Sequence, residues 1–301
     1  MWKAFKRHPV LWSLLAGIVL LAAGLAVAYR QLSRPLPESA LPAGYGADVE
    51  NGRMLYVLGG CISCHRGRGA QVELPAGGRS LKVPGDRIPA PNITPDAETG
   101  IGKWRPVDFV NAMKRGLGPG GVHYIPAFPY TSYAWMKTTD ILDLFAYLKT
   151  LPAARNEVKR AEFTTGRYML AFWKWLALPK HEFRPLPGKG KAWNRGAYLV
   201  LGPGHCGECH TRRNNLMLLD RSRWLAGGPH PVDKVEVPSL RNLIRRGRYK
   251  NAEALYQALK NGAARGDERM DEGGMNEVLA ALAQLNDDDL RAIAEFLASL
   301  R

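Results

Sequence analysis

Cysteine is scarce in this chain, four in 301 residues, and none lies outside two pentapeptides, CISCH (61–65) and CGECH (206–210). Acid is short as well. Twenty-seven Asp and Glu stand against 42 Lys and Arg, a formal net charge of +15, and that balance points to acidic partners or an anionic membrane face. The basic residues, among them Arg66, Arg68, Arg212, Arg213, Arg245, Arg246 and Arg248, form no arm or recognition-helix pattern, so nucleic acid is not an expected partner. The loop HYIPAFPYTSYAWM (123–136) has no Asp or Glu and therefore no catalytic carboxylate. Hydrophobic residues make up 46% and charged residues 23%, which excludes a mainly disordered chain, and the length suffices for two domains with their own cores.

Polar residues are nearly missing between Val10 and Tyr29, where Ser13 is the only one. Twenty residues at ~1.5 Å each reach ~30 Å, the thickness of a bilayer's hydrocarbon core. Lys3, Lys6 and Arg7 precede the run and should stay cytoplasmic, which sends the rest of the chain across the membrane. Ala26-Val27-Ala28 is a candidate cleavage site, but the run exceeds the ~7–15 residues of a signal-peptide core. A retained anchor over 1–30 is the expectation, followed by a proline-bearing linker, SRPLPESALPAG, within 31–44.

C-x-x-C-H is the attachment signature of c-type haem. Two thiols three residues apart reach the two vinyl groups of one haem, and the adjoining histidine supplies the proximal nitrogen to iron. Cys61, Cys64 and His65 form one such set, and Cys206, Cys209 and His210 the other. Zinc would want its cysteine pairs ~15–20 residues apart, whereas these lie in different halves of the chain. A thioredoxin-like pair has no obligatory following histidine, and simple disulfides would make both histidines coincidental. Two covalently attached haems are expected.

The surroundings of the motifs repeat. ADVENGRMLYVLGG precedes the first and KAWNRGAYLVLGPGH the second, each with a glycine nine or ten residues before the first cysteine. Downstream, Ile141, Leu144, Phe145 and Leu148, and likewise Leu290, Ile293, Ala294 and Leu297, mark amphipathic helices, with Thr138 and Asn286 as candidate N-caps. Each half reads as helix, haem motif, long loops and closing helix.

With its stretches APNITPDAETGIGKW (90–104), YIPAFPYTSYAWM (124–136), FTTGRYMLAFWKWL (163–176) and WNRGAYLVLGPGHCGECHTRR (193–213), the chain resembles the membrane-associated cytochrome c subunits of periplasmic alcohol, gluconate, fructose and aldehyde dehydrogenases, and their free-standing dihaem relatives. The resemblance implies an all-α fold of two class I-like cytochrome c domains in tandem with long loops, at 45–152 and 190–301, joined by 153–189 and preceded by a transmembrane helix. It implies an electron carrier rather than an enzyme, in the bacterial inner membrane with a single N-terminal pass and its bulk periplasmic. Electrons would pass from a dehydrogenase or quinol donor towards a terminal oxidase or a small soluble cytochrome.

Methionine is a common distal haem ligand. Met275 lies in a stretch like the relatives' ligand loop, with Met270 or a packing role as alternatives. In the first half many relatives place methionine before PY, where this chain has Phe128, which cannot ligate iron. Met136, His123 or an open iron remain for the first haem, although counting back from the closing helices matches Met136 to Leu285, a core position. An open iron would favour a dihaem peroxidase-like enzyme. The segment TGRYMLAFWKWLALPK, edged by Arg167, Lys174 and Lys180, reads either as a wedge between the domains or as an interfacial helix docking on membrane or partner.

Overall fold

The computed structural model describes residues 9–83, 86–159, 166–230, 232, 235–262 and 274–301. Pro9–Leu32 is a single helix, α1, and its Val10–Leu32 stretch is long and apolar enough to cross a membrane, with none of that window buried. The linker after it is pinned rather than loose. Leu36 N donates to Asn111 Oδ1 at 2.8 Å, and Asn111 Nδ2 donates back to the Leu36 carbonyl at 3.2 Å.

The first half begins with α2 (Val49–Leu58), whose orphan amides at Glu50 and Asn51 are accepted by the Asp48 carboxylate, both at 3.0 Å. Gly60 at φ 56° turns the chain into α3 (Cys61–His65), the first motif itself. Further on come α4 (Pro106–Arg115), the single turn α5 (Tyr130–Tyr133) and the closing helix α6 (Thr138–Thr150). Helix α7 (Arg167–Ala177) stands between the halves. The second half repeats the order with α8 (Lys191–Leu201), the motif turn α9 (Gly207–His210), α10 (Ala252–Lys260), α11 (Met275–Leu282) and the closing α12 (Asp287–Ser299).

The expected all-α class needs one correction: the fold is mostly helical but includes two-stranded antiparallel ribbons. Ser80–Val83 pairs with Asp86–Pro89, Leu117–Gly118 with Val122–His123, and Gly228–Pro229 with Glu236–Val237. They arise where Gly- and Pro-rich loops double back, and such short pairs leave no periodicity to read. A second correction concerns Thr138. Lys137 takes the N-cap position of α6, while the Thr138 hydroxyl and amide both donate to Glu182 Oε1, at 2.7 and 3.1 Å. A carboxylate 44 residues away caps the helix instead. Asn286 does cap α12, accepting from Asp289 N at 2.8 Å.

The repeated glycines mark helix crossings. Helix α2 packs on α6 and α8 on α12, and a methyl group at Gly52 would collide with the Asp143 carbonyl oxygen, as one at Gly196 would with that of Ala292. Gly196→Ala is therefore expected to lower stability by ~1–3 kcal/mol through overpacking, despite alanine's better helix propensity. Thermal unfolding of the holoprotein should show a fall of several degrees, and an unchanged or raised midpoint would contradict so close a crossing.

Both halves share one core cluster, which joins Met54, Leu55, Phe145 and Leu148 to Leu199, Ile293 and Phe296. Their main chains meet just before the motifs. A methyl at Gly59 would stand 3.5 Å from the Pro203 carbonyl oxygen, and one at Gly204 would stand 3.4 Å from Leu58 Cδ1.

Candidate functional site

The two pentapeptides are held alike. His65 Nδ1 lies 2.8 Å from the Pro91 carbonyl oxygen, and His210 Nδ1 lies 2.8 Å from that of Pro238. A carbonyl only accepts, so Nδ1 carries the proton in each ring and Nε2 is left with its lone pair. Burial also pushes both imidazoles below their ordinary range, opposed by those carbonyl bonds, which favours the neutral form a metal binds. The main chain is fixed as well: Gly77 N donates to the His65 carbonyl at 2.7 Å and Gly227 N to that of His210 at 2.8 Å. Both glycines are left-handed, at φ 77° and 76°, and an added methyl would stand 2.6 Å from the Ala90 oxygen at one and 2.5 Å from the Val237 oxygen at the other.

The four thiols are free. Burial, with the partner cysteine as the second cause, pushes Cys61 and Cys206 up to about 12, and burial then Glu208 push Cys209 up to about 11. Thiols so raised are the reverse of a reactive redox pair, which needs a depressed value. Among the described residues no group of three or more His, Cys, Asp and Glu gathers, so neither pair has further ligands for zinc.

A c-type haem fits this donor set. Each motif offers two thiols one helical turn apart and an imidazole Nε2 whose ring is oriented from behind by a carbonyl. Buried polar atoms also stand unpaired beside both motifs: Arg66 Nε next to His65, Arg213 Nε three residues beyond His210, and the Tyr130 hydroxyl. A bound haem's propionates would offer acceptors of the kind such donors lack.

Each half also grips the motif of the other. Glu208, inside the second motif, is 8% exposed and accepts from the Thr131 and Ser132 hydroxyls of α5, both at 2.6 Å, while pairing with Arg213. In return Glu277 of α11 pairs at 3.0 Å with Arg79, whose same nitrogen donates to the Ser63 carbonyl in the first motif. Between them His205 Nε2 lies 3.2 Å from the Gly59 carbonyl oxygen, and its ring meets Tyr133 edge-on at 5.7 Å.

The distal candidates sit on different elements. Met275 is half-buried at the start of α11, one residue after left-handed Gly274, and Met270 lies outside the described residues. Phe128 sits just before α5, the corresponding short helix, with its ring 5.5 Å from Tyr133 and 6.1 Å from Tyr124. Met136 is 1% exposed and packs on Gly202 at the end of α8. It precedes α6 by two residues as Leu285, 3% exposed, precedes α12. His123 turns towards α1, with Nε2 2.9 Å from Ser33 Oγ and its ring 5.9 Å from Tyr29.

Sequence reasoning missed the residues that hold the histidines from behind. A partial signal existed: Ala-Gly-Gly recurs at 76–78 and 226–228, and the prolines whose carbonyls take Nδ1 come 13 and 10 residues later, with other prolines in between. Glu208 was overlooked because its partners lie more than 70 residues away.

Fold and motif geometry together define a haem-binding protein of the c type, and comparison agrees. The cytochrome c family profile matches residues 49–152. A dihaem cytochrome c-type protein of Cereibacter sphaeroides is 37% identical, over 95% of this chain and 97% of its own. One of the subunits of nicotinate dehydrogenase from Pseudomonas putida is 35% identical, over 98% of this chain and 25% of its own. The cytochrome c subunit of the quinone-type alcohol dehydrogenase of Gluconacetobacter polyoxogenes is 36% identical, over 86% and 57%. The chain belongs to the cytochrome c family. It spans nearly the whole dihaem relative and only part of the two dehydrogenase subunits.

Proposed function

We propose that this protein is a membrane-anchored dihaem electron carrier with two class I-like cytochrome c domains in tandem, 45–152 and 190–301, on the periplasmic side of a bacterial inner membrane. Cys61, Cys64 and His65 would hold one haem, and Cys206, Cys209 and His210 the other. Met275 is the distal ligand proposed for the second iron and Met136 for the first. Bound haem supplies one-electron chemistry, its iron alternating between ferric and ferrous states. The chain's own part is to orient both imidazoles through Pro91 and Pro238, to exclude water with the shared core, and to keep the two attachment sites in one rigid frame.

The observation that carries this reading is the reciprocal grip, Thr131 and Ser132 on Glu208 and Glu277 on Arg79. It ties the two motif segments to each other, as a relay between two haems would need. A peroxidase-like role finds no support in the relatives, which are named as a dihaem cytochrome and as dehydrogenase subunits. A dehydrogenase is the proposed donor, a terminal oxidase or small cytochrome the acceptor. Net charge +15 suits salt-sensitive docking on an acidic partner.

The test is respiration in membranes of the producing cell. Deleting this gene is expected to abolish oxygen uptake driven by the substrate of the partner dehydrogenase, an alcohol or nicotinate being the first to try. The same dehydrogenase should still reduce an artificial dye. Unchanged uptake with every substrate that the cell's periplasmic dehydrogenases oxidise would refute the proposal.

A further inference from the structure

Helix α7 is amphipathic the wrong way round for a soluble protein. Its inward positions are Ala171, Lys174 and Ala177, at 1%, 4% and 9% exposed. Its outward positions are Tyr168, Met169, Trp175 and Leu176, between 52% and 66% exposed. These recur at i, i+1, i+7 and i+8, one continuous helical stripe. The sequence placed Lys174 at the edge of this segment, and the structure corrects that. Lys174 Nζ points inward and donates to the Arg115 and Gly116 carbonyls at 2.7 and 3.1 Å, closing the end of α4. Those bonds fix the helix's rotation and hold the apolar stripe outward.

What covers the stripe is indicated by its neighbour. Helix α7 packs on α1, and the Tyr168 ring lies 5.5 Å from that of Tyr29, three residues before the end of α1. The stripe therefore begins where α1 ends, at the level of its interfacial tyrosine. Lys180 sets its ammonium 5.4 Å from the Trp175 ring centre, and Trp173 Nε1 ties in the carbonyl of exposed Leu216 at 2.7 Å. Tyrosine and tryptophan with a flanking lysine is the composition of a membrane–water boundary.

We propose that α7 lies in the plane of the bilayer surface with Met169, Trp175 and Leu176 sunk among the acyl chains, so that α1 and α7 together fix how the haem-bearing body faces the membrane. This rests on reading α1 as a membrane-spanning anchor. A single spanning helix can tilt in the bilayer and, through its pinned linker, would carry the body with it. A second contact, held rigidly by Lys174, makes the orientation definite.

The full-length holoprotein is reconstituted into phosphatidylcholine vesicles containing some phosphatidylglycerol, with one nitroxide each at Met169→Cys, Leu176→Cys, Leu20→Cys and Val278→Cys. The native cysteines, bonded to haem, take no label. Collision with oxygen should exceed collision with a water-soluble nickel chelate at 20, 169 and 176, and the reverse should hold at 278. Nickel access at 169 and 176 with position 20 in lipid would overturn this proposal and leave the anchor standing. Exclusion of both reagents at 169 and 176 would also overturn it, because protein would then cover the helix. Nickel access at position 20 would overturn the anchor, and this proposal with it.

Discussion

Serine at both Cys206 and Cys209 is expected to halve the covalent haem of the purified protein, from two per chain to one. Pyridine haemochrome absorbance set against protein mass measures the ratio, and haem staining after denaturing electrophoresis shows that the remaining group is covalent. The expectation follows from the separate scaffolds behind the motifs. Pro91 and Gly77 hold His65, while Pro238 and Gly227 hold His210, and neither set depends on the other's cysteines. The variant should also be much less stable. A haem fills more volume than any side chain, and emptying even one large aromatic site costs about 3–5 kcal/mol. That loss falls on the second half first, and through Glu208 and Glu277 on the contact with the first. A ratio of one in the unmutated protein, or haem extracted by acid acetone, would end the dihaem reading.

What the sequence made legible was local. Both haem motifs are five residues long, and Gly52 and Gly196 were marked by spacing before the crossings they permit could be seen. Asn286 caps its helix through a neighbour three residues on. The rest depends on residues distant in the chain. Thr138 lost its cap position because Glu182 arrives from the segment between the halves, and Glu208 acquired meaning only against Thr131 and Ser132. The segment TGRYMLAFWKWLALPK, open in sequence between a wedge and an interfacial helix, was hard to read for a physical reason. Hydrophobic periodicity assumes that apolar means inward, and α7 reverses that with Lys174 inside and Trp175 outside.

Met275→Ala is expected to convert the second haem to high spin and to remove a weak near-infrared sulfur-to-iron band from the oxidised spectrum. Its potential should fall as well, because methionine raises the potential of a histidine-ligated haem. The position has a structural reason. Gly274 in its left-handed turn breaks the loop just where α11 starts, and Glu277 two residues past the methionine is anchored to Arg79, so Met275 sits on a fixed element. Phe128 stands at the equivalent place before α5 and has no sulfur to offer. Met136 is the methionine proposed for the first iron, and the same spectrum tests it. If Met136 ligates, Met136→Ala removes a second near-infrared contribution and turns the first haem high spin. If Met136 only fills the core as Leu285 does, the variant keeps its spectrum and loses ~2–5 kcal/mol of stability through the cavity beside Gly202. Two sulfur bands in the unmutated protein would satisfy the bis-methionine proposal. A single band that vanishes with Met275→Ala and survives Met136→Ala would assign Met136 to packing and leave the first iron without a methionine.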